Sequence, residues 1–310
     1  MKQYHGTREA FHQALLDLAE TDDRVLFVSP DSLKAMRATP FAEQYPRRYV
    51  EVGIAEQGAV DVAAGLAASG LIPFIGTYAG FLTMRACEQM RTFVAYPNLN
   101  VKFVGINAGL MGGEREGVTH QFYEDLAVLS AIPNMTIFTP ADARQTYLAC
   151  LEAAATPGPV YIRAGSGREP EVYGEDAKFS ADGFTLLRAY GMDTLVFASG
   201  FILDRVLQAA DLLHEQGVQV TIADVNILNG KRPEKLIKLL KTAPKAVTVE
   251  DHNINGGLGS YICHLAAEHH PIPVRRIGLT SFGESGPARE LTDLYGFEPK
   301  ALVQSICDTL

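Results

Sequence analysis

At 310 residues the chain is long enough for two domains of ordinary size, and 47% hydrophobic with 20% charged residues is the composition of a soluble globular protein rather than a disordered or fibrous one. A formal charge of −9, with no lysine/arginine stripe to offset it locally, opposes binding to a nucleic-acid backbone, so nucleic acid is not an expected partner. No apolar run reaches the roughly 18 to 20 residues needed to cross a bilayer, and the N-terminal MKQYHGTREAFHQ lacks the charged-then-apolar order of a signal peptide; the expected location is cytoplasmic, away from any membrane. Cys87, Cys150, Cys263 and Cys307 are far apart with no C-x-x-C pair, which suggests neither a disulfide framework nor a zinc site.

In chain order, short β-branched runs at 24–29, 72–76, 101–106, 135–139 and 159–163 predict strands, with helices predicted over 8–20, 56–69, 81–95 and 142–155 between them. That alternation predicts a mostly parallel sheet with helices on both faces. The stretch AGSGREPEVYGEDAKFSADG (164–183) is rich in glycine, proline and charge without an apolar period, and reads as a linker. A second alternating unit follows: strands at 194–200, 218–225, 245–251 and 273–278, with helices to about 216, near 233–241, from about 257 and at 299–309. The expected organisation is α/β with two doubly wound, mostly parallel-sheet domains, at 1–170 and 191–310, joined by a connector at 171–190.

Three stretches of the first domain depart from what a plain core needs. In EVGIAEQG, Glu56 stands where a strand-like run passes through Gly53 into an alanine-rich helix; it reads either as a first-turn acid favoured by the helix dipole or as a functional carboxylate. In GTYAGFLTMRACEQMRTF (76–93), Tyr78 and Phe81 sit at a strand-to-helix turn, as core aromatics or as a platform for a flat ligand. The loop GLMGGEREGVTHQ (109–121) is glycine-rich, charged, and ends in Thr119, His120 and Gln121, in the kind of position where open α/β sheets gather ligands.

Taken with TPADARQT, GPVYIRAG, EDHNINGGLGS and FGESG further on, these motifs form an ordered series along almost the whole chain that resembles the transketolase family, in particular its pyrimidine-binding and C-terminal domains as found in the separate C-terminal subunit of split transketolases. The resemblance implies two α/β domains and dependence on thiamine diphosphate. It implies that Glu56 touches the ring nitrogen of the cofactor's aminopyrimidine and exchanges a proton there, which promotes proton loss from the thiazolium carbon. It places Tyr78 and Phe81 around the pyrimidine, with Ile54 of the Glu56 motif in the same pocket. It assigns His120 to the donor's carbonyl and hydroxyls, as a hydrogen-bond donor or proton shuttle, and Arg163 to the substrate's phosphate.

The chain also departs from the family pattern. Transketolases commonly carry a GEDGxTHQ-like loop; GGEREGVTHQ is one residue longer and offers Glu116, with Arg115 before it, toward the substrate. Asn107 stands where many members have a histidine, and Arg115 or Arg168 is a further candidate for an anionic end other than an ordinary sugar phosphate. The GDG signature that carries Mg²⁺ and the diphosphate in this class is missing, so those ligands are expected on an N-terminal, diphosphate-binding partner subunit, in a heterotetramer with two copies of each chain. The glycine-rich NGGLGS (255–260) lacks the Lys-Ser/Thr of a P-loop and reads as a structural turn. The implied activity is transfer of a two-carbon ketol unit from a ketose to an aldose; a 2-oxoacid dehydrogenase β subunit, a deoxyxylulose-phosphate-synthase-like enzyme and a non-catalytic paralogue are the alternatives.

Overall fold

In the computed structural model, which describes residues 5–113, 116–229 and 233–308, the alternation of strand and helix builds two sheets. The first half runs α1 (Thr7–Thr21), β1 (Val25–Ser29), α2 (Thr39–Gln44), β2 (Tyr49–Glu51), α3 (Glu56–Ala68) and β3 (Ile72–Tyr78). Next come a π-helical turn at Phe81–Arg85, the short α4 (Cys87–Gln89), a second π-helical turn at Met90–Ala95, β4 (Lys102–Ile106), α5 (Asp125–Ser130), β5 (Thr136–Phe138), α6 (Ala143–Ala155) and β6 (Val160–Arg163). Every residue of β1, β4 and β6 is buried, which is why their sequences are mostly apolar, with Ser29, Lys102 and Arg163 at strand ends as the polar exceptions: helices cover both faces of the sheet. α3 packs through Ala59, Val60, Ala63, Ala64 and Ala67, a helical stripe whose small side chains let its backbone lie close to the strands. Asp142 starts α6, accepting the Gln145 N–H at 2.8 Å.

The second half runs β7 (Phe184–Ala189), β8 (Thr194–Ser199), α7 (Leu203–Glu215), β9 (Val220–Val225), β10 (Ile227–Leu228), α8 (Glu234–Leu240), β11 (Ala246–Asn253), α9 (Leu258–His269), β12 (Val274–Leu279), α10 (Ala288–Leu294) and α11 (Pro299–Cys307). Its five-stranded sheet has the order β12-β11-β8-β9-β7, parallel except for β7 against β9. The first sheet has the order β10-β5-β6-β4-β3-β1-β2 and is parallel except for β10, which the second half sends back to pair with β5. The doubly wound, mostly parallel architecture is as the sequence implies.

The connector differs from expectation. Residues 184–189, expected to be linker, are the edge strand β7 of the second sheet. Its residues are half-buried or exposed, so it shows neither a continuous apolar run nor a clean alternation. The segment before it is pinned as well: the Val172 and Tyr173 N–H groups donate to Asp142 Oδ2 at 2.9 and 2.7 Å, and the Tyr173 hydroxyl donates to Asp224 Oδ2 at 2.6 Å.

In the second sheet the chain moves from β8 to β9 on one side and later to β11 on the other, so the crevice outside the carboxyl ends of β8 and β11 is its topological switch point, the usual ligand position of an open α/β sheet. Here the Arg163 side chain of the first domain occupies it, beside Gly200 and Asp251.

Candidate active site

The sequence-predicted site residues gather at the carboxyl edge of the first sheet. Tyr78 ends β3, Asn107 follows β4 and Arg163 ends β6. β2 leads through Gly53 (φ 71°) to α3, whose first residue is Glu56. At 3% exposure Glu56 is nearly enclosed, and its Oε1 accepts a hydrogen bond of 2.8 Å from Arg85 Nη1. The Arg85 guanidinium in turn lies 4.3 Å from the centroid of the Phe81 ring. The wide turn at Phe81–Arg85 brings both residues to this side, and π-turns within helices recur at functional positions.

Around Phe81 the rings meet edge to face: Tyr78 to Phe81 at 5.4 Å, Tyr78 to His120 at 4.9 Å, Phe81 to His120 at 5.3 Å and Phe81 to Phe122 at 5.9 Å. Tyr78, Phe81 and His120 are each only partly buried. His120 Nδ1 lies 3.0 Å from Thr119 Oγ1, which leaves Nε2 as the other polar atom of the ring. A buried carboxylate beside partly open aromatic rings suits a flat, nitrogen-bearing heterocycle: the rings supply apolar faces and the carboxylate a proton partner. The residues present therefore fit the aminopyrimidine of thiamine diphosphate. They offer no diphosphate cradle at the glycine-rich 255–260 stretch, because the Glu250 carboxylate already accepts the Leu258 and Gly259 N–H groups at the start of α9, at 2.6 and 2.8 Å.

The other expected site residues fare differently. Ile54 is 78% exposed and encloses nothing within this chain. Glu116 is exposed, with its carbonyl accepting the Thr119 hydroxyl at 3.3 Å. Arg115 lies outside the described residues. Asn107 is buried in the left-handed region (φ 56°), and its Oδ1 accepts from Arg8 Nη2.

Arg163, expected at the substrate's phosphate, is instead tied into buried ion pairs. Its side chain is 1% exposed and fully engaged: Nε on Asp125 Oδ2 at 3.1 Å, Nη1 on Asp251 Oδ1 at 2.7 Å and Nη2 on the Asp251 carbonyl at 3.2 Å. Tyr161 completes the cluster by donating to Asp125 Oδ2 at 2.8 Å. Burial alone would lower the affinity of Arg163 for its proton, but Asp125 and Asp251 outweigh it and raise its pKa. A guanidinium with both carboxylates already on it has no free fork for a substrate anion. Gly109 (φ 77°) makes room for the cluster, since a Cβ there would collide with Asp251 Oδ2.

Sequence reasoning missed Arg8 and Phe122, and gave Arg85 no role. Arg8 is half-buried; Nη1 donates to the Ala35 carbonyl at 3.3 Å, while Nε is buried without a hydrogen-bond partner. Burial lowers its pKa, opposed in order by Tyr78 and Glu169, with Arg37 and Glu116 also acting on it. One arginine in the first turn of the N-terminal helix carries no local signal of this surrounding.

The chain thus carries a cluster of aromatic rings and a buried carboxylate on one α/β domain, followed by a second α/β domain. Residues 4–167 match the family description of the transketolase pyrimidine-binding domain and residues 184–302 that of the transketolase C-terminal domain. The chain belongs to the transketolase family. It is 34% identical over 302 residues to the 6-deoxy-6-sulfo-D-fructose transketolase subunit of a Clostridium species, covering 97% of this chain and 93% of that one. It is also 34% identical over 303 residues to an apulose-4-phosphate transketolase subunit of Phocaeicola vulgatus, covering 97% and 95%. Among solved structures, a split-gene transketolase described as an inactive beta4 tetramer superposes with a TM-score of 0.88 at 35% identity, covering 99% of this chain and 98% of that chain.

Proposed function

We propose that this chain is the pyrimidine-side, C-terminal subunit of a two-chain transketolase, moving a two-carbon ketol unit from an anionic ketose to an aldose. The observation that carries the reading is the convergence of Glu56, Tyr78, Phe81 and His120 at one sheet edge in a family member matching other split subunits nearly end to end. When bound, thiamine diphosphate supplies the nucleophilic carbon and electron sink for cleaving the bond beside a ketose carbonyl. Glu56 holds and exchanges a proton at the pyrimidine ring nitrogen, from a position that excludes water. Tyr78 and Phe81 give the ring its apolar walls, and Ile54 joins them once a partner covers it. His120 hydrogen-bonds the donor's reacting oxygens and stabilises negative charge as it develops there.

Arg8 replaces Arg163 as the contact for the donor's anionic end. Its Nη2 bond to Oδ1 of Asn107, which follows β4 at the same sheet edge, puts a half-buried cation beside the site, with Asn107 orienting it. Glu116 and, by its place in the sequence, Arg115 remain candidates for substrate contacts. The relatives' names, one a sulfonated and one a phosphorylated sugar, support an anionic substrate. Mg²⁺ and the diphosphate belong to an N-terminal partner subunit, and the name of the split-gene neighbour, an inactive assembly of one kind of chain, supports that dependence.

The test is reconstitution. The chain, a diphosphate-binding subunit from the same organism, thiamine diphosphate and Mg²⁺ are combined and assayed for ketol transfer from anionic ketoses. Transfer by the mixture and by neither chain alone is expected; full activity of this chain alone, or none from the mixture, overturns the reading.

A further inference from the structure

The FGESG motif (282–286) finds no part in cofactor or substrate chemistry, yet it packs against the back of the loop that carries His120. Gln121, the residue after His120, is 1% exposed. Its Nε2 donates to the Leu110 carbonyl at 3.2 Å, at the start of its own loop, and to the Glu284 carbonyl at 2.9 Å in the second domain. Two further bonds flank it: the Gly283 N–H donates to the Tyr123 hydroxyl at 2.6 Å, and the Asn253 N–H donates to the Tyr123 carbonyl at 2.7 Å. Ser285 closes on Gly117, where a Cβ would collide with its Oγ. The His120 and Gln121 N–H groups both return to the Gly117 carbonyl, at 2.9 and 3.0 Å, so whatever holds Gly117 and Gln121 also sets the direction of the His120 ring.

We propose that Gln121 and the Phe282–Gly286 loop are positioning elements: through them the second domain holds His120 against Tyr78 and Phe81. This rests on the function proposed above for His120. A primary amide suits the task, because its two N–H donors can satisfy two carbonyls at once from an enclosed position. The two carbonyls belong to different domains, so the amide ties one to the other. The second domain thereby acts on the reaction without touching the substrate.

The test uses two variants on opposite sides of the contact. Gln121→Met keeps the length and removes both donors. Gly283→Ala places a Cβ 2.7 Å from Gln121 Oε1 and displaces the amide from the second-domain side. In the reconstituted two-chain complex both are expected to lower kcat about 10- to 100-fold, the scale of a misplaced reacting group. The Michaelis constant of the donor and the affinity for cofactor should stay within about threefold, since Glu56, the rings and Arg8 are untouched. In the chain by itself, hydrogen exchange of residues 117–123 should quicken about tenfold while α3 and the strands keep their protection. Wild-type exchange and wild-type kcat in both variants overturn the proposal, as does a loss of cofactor affinity or of global stability in proportion to the loss of turnover. Should the wild-type complex transfer no ketol group, the functional reading fails, while the exchange arm still decides whether the second domain holds the loop.

Discussion

Arg163 and Asp251 meet 2.7 Å apart with both side chains 1% exposed, one at the end of β6 in the first domain and the other near the carboxyl end of β11 in the second. The ligand crevice of the second sheet is thus filled by a residue of the first, which explains how a doubly wound domain can serve as a structural module. Breaking a buried ion pair by removing one partner strands the other charge, at a cost of about 3 to 5 kcal/mol. Arg163→Ala should lower the stability of the chain by that amount in chemical denaturation, and leave the donor's Michaelis constant unchanged in the protein that remains folded. A stable variant with a tenfold higher Michaelis constant would return Arg163 to the substrate.

Arg8→Ala should have the opposite signature. A hydrogen-bonded contact to an anion contributes roughly 1.5 to 3 kcal/mol, equivalent to a rise in Michaelis constant of about 10- to 150-fold. Turnover should change little, because the contact lies away from the reacting carbon and is made equally in the ground and transition states. Steady-state kinetics with a charged donor and its uncharged counterpart check this; an equal penalty on both would make Arg8 an element of the fold.

Glu56→Gln keeps the shape of the side chain but cannot exchange the proton. Turnover is expected to fall about 10²-fold or more, the scale of a lost general acid or base. Stability should change by less than about 1 kcal/mol, because the partner in the ion pair, Arg85, is half-exposed. Measured turnover near that of the wild type would reduce Glu56 to a helix-start acid.

Cofactor binding tests the division of labour between subunits. Calorimetric titration of the chain alone with thiamine diphosphate and Mg²⁺ should show weak binding, because the proposed reading gives this chain only the pyrimidine side of the cofactor. Submicromolar binding by the chain alone would show that it also supplies diphosphate ligands.

Asp224 gives a pH signature at the connector. Burial pushes its carboxyl up to about 7, against the stabilising hydrogen bond from Tyr173. Between about 4, where an unfolded aspartate titrates, and 7, the native state keeps a proton that the unfolded chain has released. Stability from this group therefore declines as pH rises through that window. Asp224→Asn can still accept from Tyr173 and has no such titration, so the variant should gain stability relative to wild type from pH 4 to pH 7. Urea denaturation across the window checks this; parallel curves would contradict it.

The architecture is legible in the residue order without any coordinates. Fully buried parallel strands such as 101–106 and 159–163 are mostly apolar apart from Lys102 and Arg163 near their ends, and the helices that cover them carry an apolar stripe, so local pattern and fold are largely the same information here. Glu56, Tyr78, Phe81 and His120 come into view through the resemblance to a family motif series, since each residue by itself reads equally well as a cap, a core ring or a loop histidine. Edge strands escape such a reading: β7 and the two-residue β10 have one free side, bury little, and leave no apolar period. Which arginine is tied into buried ion pairs is decided by the folded chain alone. Arg8 and Arg163 are equally charged in the sequence, and an arginine becomes a ligand or a strut according to the carboxylates that reach it. Asp125 and Asp251 come from 38 residues before and 88 residues after Arg163, a relation that no local pattern encodes because it exists only once the two sheets have closed on each other.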